Sequence, residues 1–151
     1  MLRLRAAEAA DVPVIHQMIG ELADYERLGD QVIGHPEDLQ RHLFGEPRFA
    51  LAMLALWSDA VAGYALYFYN YSTFLCRPGL YVEDLYVRPE YRGRGIGQAL
   101  LQALERQARE RGCGRLEWAV LDWNHKAIDF YRRFGAYPNA GWTLFRKELP
   151  S

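Results

Sequence analysis

The stretch from Tyr81 to Gln98, YVEDLYVRPEYRGRGIGQ, constrains this chain more than any other part of it. Tyr81, Val82, Leu85, Tyr86 and Val87 favour extended backbone, whereas Gln98-Ala-Leu-Leu-Gln-Ala-Leu-Glu-Arg is strongly helical. A Pro-Glu-Tyr turn and a loop of alternating Arg and Gly lie between them. Gly93, Gly95 and Gly97 let backbone pass close to a ligand and leave N–H groups free at a helix N-terminus, which is an anion site.

Spacing narrows the anion. A dinucleotide fingerprint G-x-G-x-x-G would place a third Gly or a small equivalent at Gln98, and glutamine does not fit; a P-loop needs Gly-Lys-Ser/Thr, and no Lys follows these glycines. What remains is a pyrophosphate turn flanked by the guanidinium groups of Arg92 and Arg94. A glycine-rich turn with solvated arginines is the plainer alternative.

The rest of the chain reads as a single α/β domain, residues 1–151. Half of its 151 residues are apolar, enough for one core and too few for two ordinary domains. Leu2 and Leu4 alternate with Arg3 and Arg5 as a short strand. Asp11 as N-cap and Pro13 in the first turn open a helix with Val12, Ile15, Ile19, Leu22 and Ala23 on one stripe. A second helix spans Pro36 to Phe44 and closes at Gly45. Phe49 to Leu56 and Val61 to Tyr71 read as strands joined by Ser58-Asp59, and Leu51 to Val87 as an antiparallel meander. The segment GYALYFYNY is apolar on both faces, as expected of a strand covered on both sides. Of Tyr64, Tyr67, Tyr69 and Tyr71, most are expected in a core or a dimer interface.

After the loop, Ile96, Leu100, Leu101, Leu104 and Ala108 form a stripe that ends at Arg111-Gly112. Arg115 to Leu121 is a strand, Lys126 to Phe134 a helix capped by Asn124 and stopped by Gly135, and Trp142 to Lys147 a last strand. The order βααβββαβαβ describes a mixed, mostly antiparallel sheet with helices on both faces.

Composition excludes some partners. A formal net charge of -1 gives no basis for non-specific nucleic-acid binding. The opening MLRLRAAEAADV lacks an apolar run long enough for a signal peptide or membrane span, so a cytoplasmic location is expected. Cys76 and Cys113 have no CxxC spacing and are expected as reduced thiols. His16, His35, His42 and His125 form no metal-ligand pattern.

Arg-Gly-x-Gly-Ile-Gly after a strand resembles the acyl-coenzyme A signature of the GCN5-related N-acetyltransferases (GNAT superfamily). Tyr-Val-Glu-Asp-Leu-Tyr-Val before it, and Ala119-Val-Leu-Asp-Trp-Asn124 and Asp129-Phe-Tyr-Arg-Arg-Phe-Gly-Ala136 after it, are similar to the branch of diamine (spermidine/spermine) and thialysine acetyltransferases. Glu21-Leu-Ala-Asp-Tyr-Glu-Arg-Leu-Gly-Asp-Gln-Val32 is similar to the same branch. The resemblance spans most of the chain and implies the acyl-CoA N-acyltransferase fold, acetyl-CoA as co-substrate without a metal, a small-molecule amine as acceptor, and a homodimer.

It also implies roles. Arg92, Gly93, Arg94, Gly95, Ile96, Gly97 and Gln98 would wrap the pyrophosphate of acetyl-CoA. The amide near Leu85 would donate to the oxyanion, with Tyr86 and Val87 sharing the contacts to thioester and pantetheine. A bulge in that strand would part it from the Arg115 strand and free those groups. Tyr131 would be the general acid. Asn124 would contact the cofactor or orient its helix, although capping alone also explains it. Tyr25 and Glu26 would line the acceptor pocket with Glu83 and Asp84, and Asp30 could add charge. Ser72 stands where polyamine-specific members tend to carry an acid, which favours small diamines or lysine-like amino acids.

The chemistry asks for these groups. A lysine-like amine has a pKa near ~10.4, so about one in a thousand is unprotonated at neutral pH, a handicap of roughly 4 kcal/mol. Glu83 and Asp84 are the adjacent carboxylates. Strict strand alternation would let only one of them face a cleft, and the resemblance makes Glu83 the base, through a water chain. A protein or antibiotic N-acetyltransferase, and a CoA-binding regulatory module without turnover, are the competing readings.

Overall fold

The computed structural model describes residues 1–150. By compactness the chain divides into two units, Met1–Ala119 and the segment from Val120 onward. The first contains strand β1 (Leu2–Ala6), helices α1 (Val12–Tyr25) and α2 (Pro36–Phe44), and strands β2 (Leu51–Trp57), β3 (Ala60–Ser72) and β4 (Arg77–Val87). Helix α3 (Ile96–Glu110) and strand β5 (Arg115–Trp118) complete it.

The five strands form one sheet in the order β1-β2-β3-β4-β5. The first four are antiparallel, and β5 lies parallel to β4 after the crossover through α3. The β2–β3 connection turns at Ser58 and Asp59, with φ of 48° and 70°. Positive φ at both centre residues is how a type I′ two-residue hairpin matches strand twist.

Two apolar layers flank the sheet. Ile15 and Met18 of α1 and Leu43 of α2 pack with Ala52, Leu54, Tyr64, Leu66 and Tyr86. On the other face Ile96, Leu100, Leu104 and Ala108 of α3 pack with Ala55, Ala65, Tyr67, Leu80 and Val82. The doubly apolar β3 is thereby explained: Tyr64 and Tyr67 are core residues on opposite faces, whereas Tyr71 at its end is 63% exposed.

Local signals and structure agree closely at α2, at the meander and at the end of α3, where Gly112 has φ of 75°. Asp11 precedes α1 as expected but does not cap it through its side chain. It ends a 3-10 turn, Ala9–Asp11, with helical backbone already in place. Its carboxylate turns back to accept from the Arg5 guanidinium at 2.7 and 3.0 Å and from the Glu8 amide at 2.7 Å. The Arg5 hydrogen bond, with the Glu8 amide and charge attraction helping against burial, holds the Asp11 carboxyl below the usual range.

In the second unit, α4 (His125–Arg133) follows Asn124, whose Oδ1 accepts from the Ala127 amide at 3.3 Å. Gly135, with φ of 99°, follows it. The strand expected over Trp142 to Lys147 is not formed. This unit contains no other strand among the described residues, so extended backbone has no ladder to join. Trp142 and Phe145 stand 74% and 89% exposed.

Candidate active site

The middle of β4 is irregular. Leu66 pairs with Asp84 and the next residue of β3, Tyr67, pairs with Val82, so Glu83 is an extra residue, a β-bulge. Its effect is visible in the packing. Leu80 and Val82 belong to the α3 layer, and after the bulge Leu85 and Val87 return to that layer while Tyr86 joins the layer under α1 and α2. The alternation is inverted at Glu83. Glu83 and Asp84 are therefore both carried to the α1 side, and the expectation that only one of the pair could face a cleft is overturned by this register shift.

Glu26, directly after α1, completes the group. Burial, then Asp84, then Glu83 push its carboxyl above the usual range. Asp84 is also pushed up by burial, against a hydrogen bond from Tyr64, whose hydroxyl donates to Oδ2 at 2.8 Å. Glu83 is exposed, and Tyr25 is 43% exposed. Tyr25, Glu26, Glu83 and Asp84 thus include three carboxylates from two distant segments, two of them raised by their surroundings. Such a cluster favours a cationic ligand.

Glu21 does not belong to it. Its carboxylate is held by the Arg88 guanidinium at 3.2 Å on each oxygen and by the Tyr86 hydroxyl at 3.1 Å. Burial, then the hydrogen bond to Glu21 and its charge, push the Tyr86 hydroxyl up to about 12, against the opposing charges of Arg92 and Arg88. The side chain of Tyr86 is thus committed to the α1 layer, which leaves its main chain for a donor. Ser72 ends β3, and its hydroxyl accepts from the Leu75 amide at 3.2 Å in the following turn.

A raised carboxyl has a signed consequence for stability. Just above its ordinary range the folded chain binds more protons than the unfolded one, so stability falls as pH rises through the raised value. Glu26→Gln removes that penalty. The variant is expected to melt a few degrees higher than the wild type at pH 7, about 1 kcal/mol corresponding to roughly 2–4 °C for a chain of this size. Near pH 3 the difference disappears. Calorimetry at both values checks this, and a lower melting temperature at pH 7 contradicts it.

The donor side begins where β4 leaves β5. Pairing to β5 stops at Val82 and Trp118, so the edge of β4 from Glu83 through Leu85, Tyr86 and Val87 extends beyond that ladder. At the loop, Gly93 and Gly95 have φ of 80° and 77°, and a Cβ built on either would meet nothing within 4 Å. Gly95 is the N-cap of α3, without a side-chain cap bond, so Ile96, Gly97 and Gln98 form a first helical turn of uncapped amides. These features fit a diphosphate and a thioester arm.

The two arginines behave differently from simple flanking charges. Arg92 donates from Nε to the Val87 carbonyl at 2.9 Å, and its guanidinium lies 5.0 Å from the Tyr25 ring and 5.8 Å from the Tyr86 ring. Arg94 lies 4.9 Å from the Trp57 ring and 5.5 Å from that of Tyr91. Arg92 therefore ties the loop to the acidic cluster, a link that periodicity and composition did not reveal. Stacking partners are fixed by tertiary structure and leave no local signal.

In the second unit Asn124 is the cap of α4, and Tyr131 lies half-buried on that helix beside Phe130, with ring centroids 5.5 Å apart. Cys76 and Cys113 are free thiols. Among the described residues no His, Cys, Asp and Glu group could hold a metal, and no helix is long and apolar enough to cross a membrane.

Comparison with known proteins gives a consistent result. A family model described as Acetyltransferase (GNAT) family matches residues 16–136. The thialysine N-epsilon-acetyltransferase of Bos taurus is 41% identical, over 96% of this chain and 91% of its own length. The L-ornithine N5-acetyltransferase of Arabidopsis thaliana is 32% identical, over 95% of this chain and 83% of its own length. Among solved structures, an integron cassette protein from the mobile metagenome of V. cholerae superimposes with a TM-score of 0.81 at 26% identity, covering 97% of this chain and 92% of that one. With a bulged sheet, a glycine-rich turn into α3 and relatives that move acetyl groups onto amines, the chain belongs to the GNAT family of acetyltransferases.

Proposed function

We propose that the chain moves an acetyl group from acetyl-CoA directly to a primary amine of a small diamine or lysine-like amino acid. The observation that carries this reading is the convergence of Glu26, Glu83 and Asp84 at the β4 bulge, next to the loop that Arg92 fastens. Three carboxylates repel one another, so a compact ligand with more than one positive charge gains most by entering. The bovine and Arabidopsis relatives, named for thialysine and L-ornithine, act on amino acids of that kind.

Glu83 is the exposed member of the group, open to water, and is assigned as the base that takes the ammonium proton through a water chain. Asp84 and Glu26, less exposed, bind the cation with Tyr25. Amides from Gly93 to Gln98 would hold the pyrophosphate, with Arg92 and Arg94 shaping the loop rather than bridging to phosphate. The Leu85 amide would donate to the thioester oxygen, and the main chain of Tyr86 and Val87 would align the pantetheine arm. Tyr131 and Asn124 take their roles, general acid and cofactor contact, from the motif in which they stand.

A panel of primary amines with acetyl-CoA, followed by release of free thiol, tests the reading. Lysine-like amino acids and short diamines should give kcat/KM at least about tenfold above a monoamine of equal length, as expected for losing one charge-assisted contact. Equal rates for monoamines, or activity confined to peptide N-termini, would refute it.

A further inference from the structure

We propose that Tyr64 is a positioning residue of the amine pocket: its wholly buried phenol fixes Asp84 as an aimed carboxylate that receives the second cationic group of the acceptor, an inference that rests on the acceptor reading above. Tyr64 lies on β3 opposite Tyr86, while Asp84 lies opposite Leu66, so the two are diagonal neighbours across the ladder. Only the bulge puts them on one face. Were Glu83 an ordinary rung of the ladder, alternation from Val82 would point Asp84 into the α3 layer and the phenol would have no carboxylate to meet.

The hydroxyl is not needed for packing. Tyr64 is 0% exposed within the layer formed with Ile15, Met18 and Leu43, where phenylalanine would fill nearly the same space. A buried hydroxyl is costly unless bonded, and its partner here is Asp84 Oδ2 at 2.8 Å, a charge-assisted bond. The Tyr64 ring is itself set edge-on to Tyr86 at 6.3 Å, and Tyr86 is anchored to Glu21. The donor thus has little freedom to swing. With Oδ2 occupied, Oδ1 has no hydrogen-bond donor from the protein among the described residues and is available to a ligand ammonium. The charged and titratable groups around Asp84 are Tyr64 from β3, Glu26 after α1 and its neighbour Glu83, with Arg92 over Tyr25 and Tyr86.

The test compares Tyr64→Phe, Asp84→Asn and the double variant in steady-state kinetics with a lysine-like diamine, a monoamine and acetyl-CoA. Tyr64→Phe should raise KM for the diamine about fivefold to tenfold. Its kcat should stay within about twofold, and KM for acetyl-CoA and for the monoamine should not change. The acidic limb of 1/KM for the diamine should move to higher pH, because the carboxylate has lost a donor. In the Asp84→Asn background the same change should add nothing. Uniform loss in kcat and both KM values would mark Tyr64 as merely structural and overturn the proposal. An unchanged diamine KM in Tyr64→Phe, with Asp84→Asn impaired, would overturn it while leaving the pocket intact. If Asp84→Asn also leaves the diamine KM unchanged, the acceptor reading fails and the proposal with it. Should Tyr64→Phe not fold, NMR of wild type carrying tyrosine labelled at Cζ decides. The Tyr64 signal should move with the diamine and not with the monoamine, and a signal that ignores both overturns the proposal.

Discussion

Replacing Glu83 by Gln is expected to lower kcat/KM for the amine about 10²-fold at pH 7, and the deficit should shrink steadily as pH approaches the pKa of the amine. The range follows from general-base catalysis, which typically contributes 10²–10⁴-fold. The pH dependence follows from the proton being removed, since an amine that is already neutral needs no base. Gln keeps the size of the side chain and the bulge, and it relieves repulsion with Glu26, so a loss of activity would not reflect a loss of fold. Rates at several pH values measure it. A variant that keeps at least half of the wild-type kcat/KM at pH 7 would remove Glu83 from the mechanism.

Tyr131→Phe is expected to lower kcat by about 10²-fold with little change in KM for either substrate, since a proton donor acts on the leaving thiolate and not on binding. Phenylalanine preserves the half-buried ring beside Phe130. The deficit should be smaller for acetyl thioesters whose thiols are more acidic than the usual ~8.5, because these depart without a proton. Equal deficits across a series of leaving groups would instead indicate a packing role. The two substitutions also respond differently: the amine governs one, the leaving thiol the other.

Much of this was legible in the residues. Local grammar marked α2 from Pro36 to Gly45, the Ser58-Asp59 hairpin, the Asn124 cap and the glycine-rich entry to α3, because each depends on neighbours within a few positions. The placement of Asp84 was not legible. A bulge is a relation between two strands, and alternation counted along β4 alone gives the wrong face. The Arg92 and Arg94 stacks escaped for the same reason, since Tyr25 and Trp57 are far away in sequence. Trp142 to Lys147 failed in the other direction: its residues suit a strand, but composition cannot supply a partner to pair with.

The extra residue in β4 also limits how this chain can be altered. Shortening the strand by one position there would restore an ideal ladder in which Asp84 follows Val82, so Asp84 would keep the α1 side and Leu85 and Val87 the α3 side, and the second adjacent carboxylate on that face would be lost. An engineer who wished to transplant the acidity into another scaffold would have to carry the irregularity across with both flanking strands, because the charges owe their common direction to a miscount.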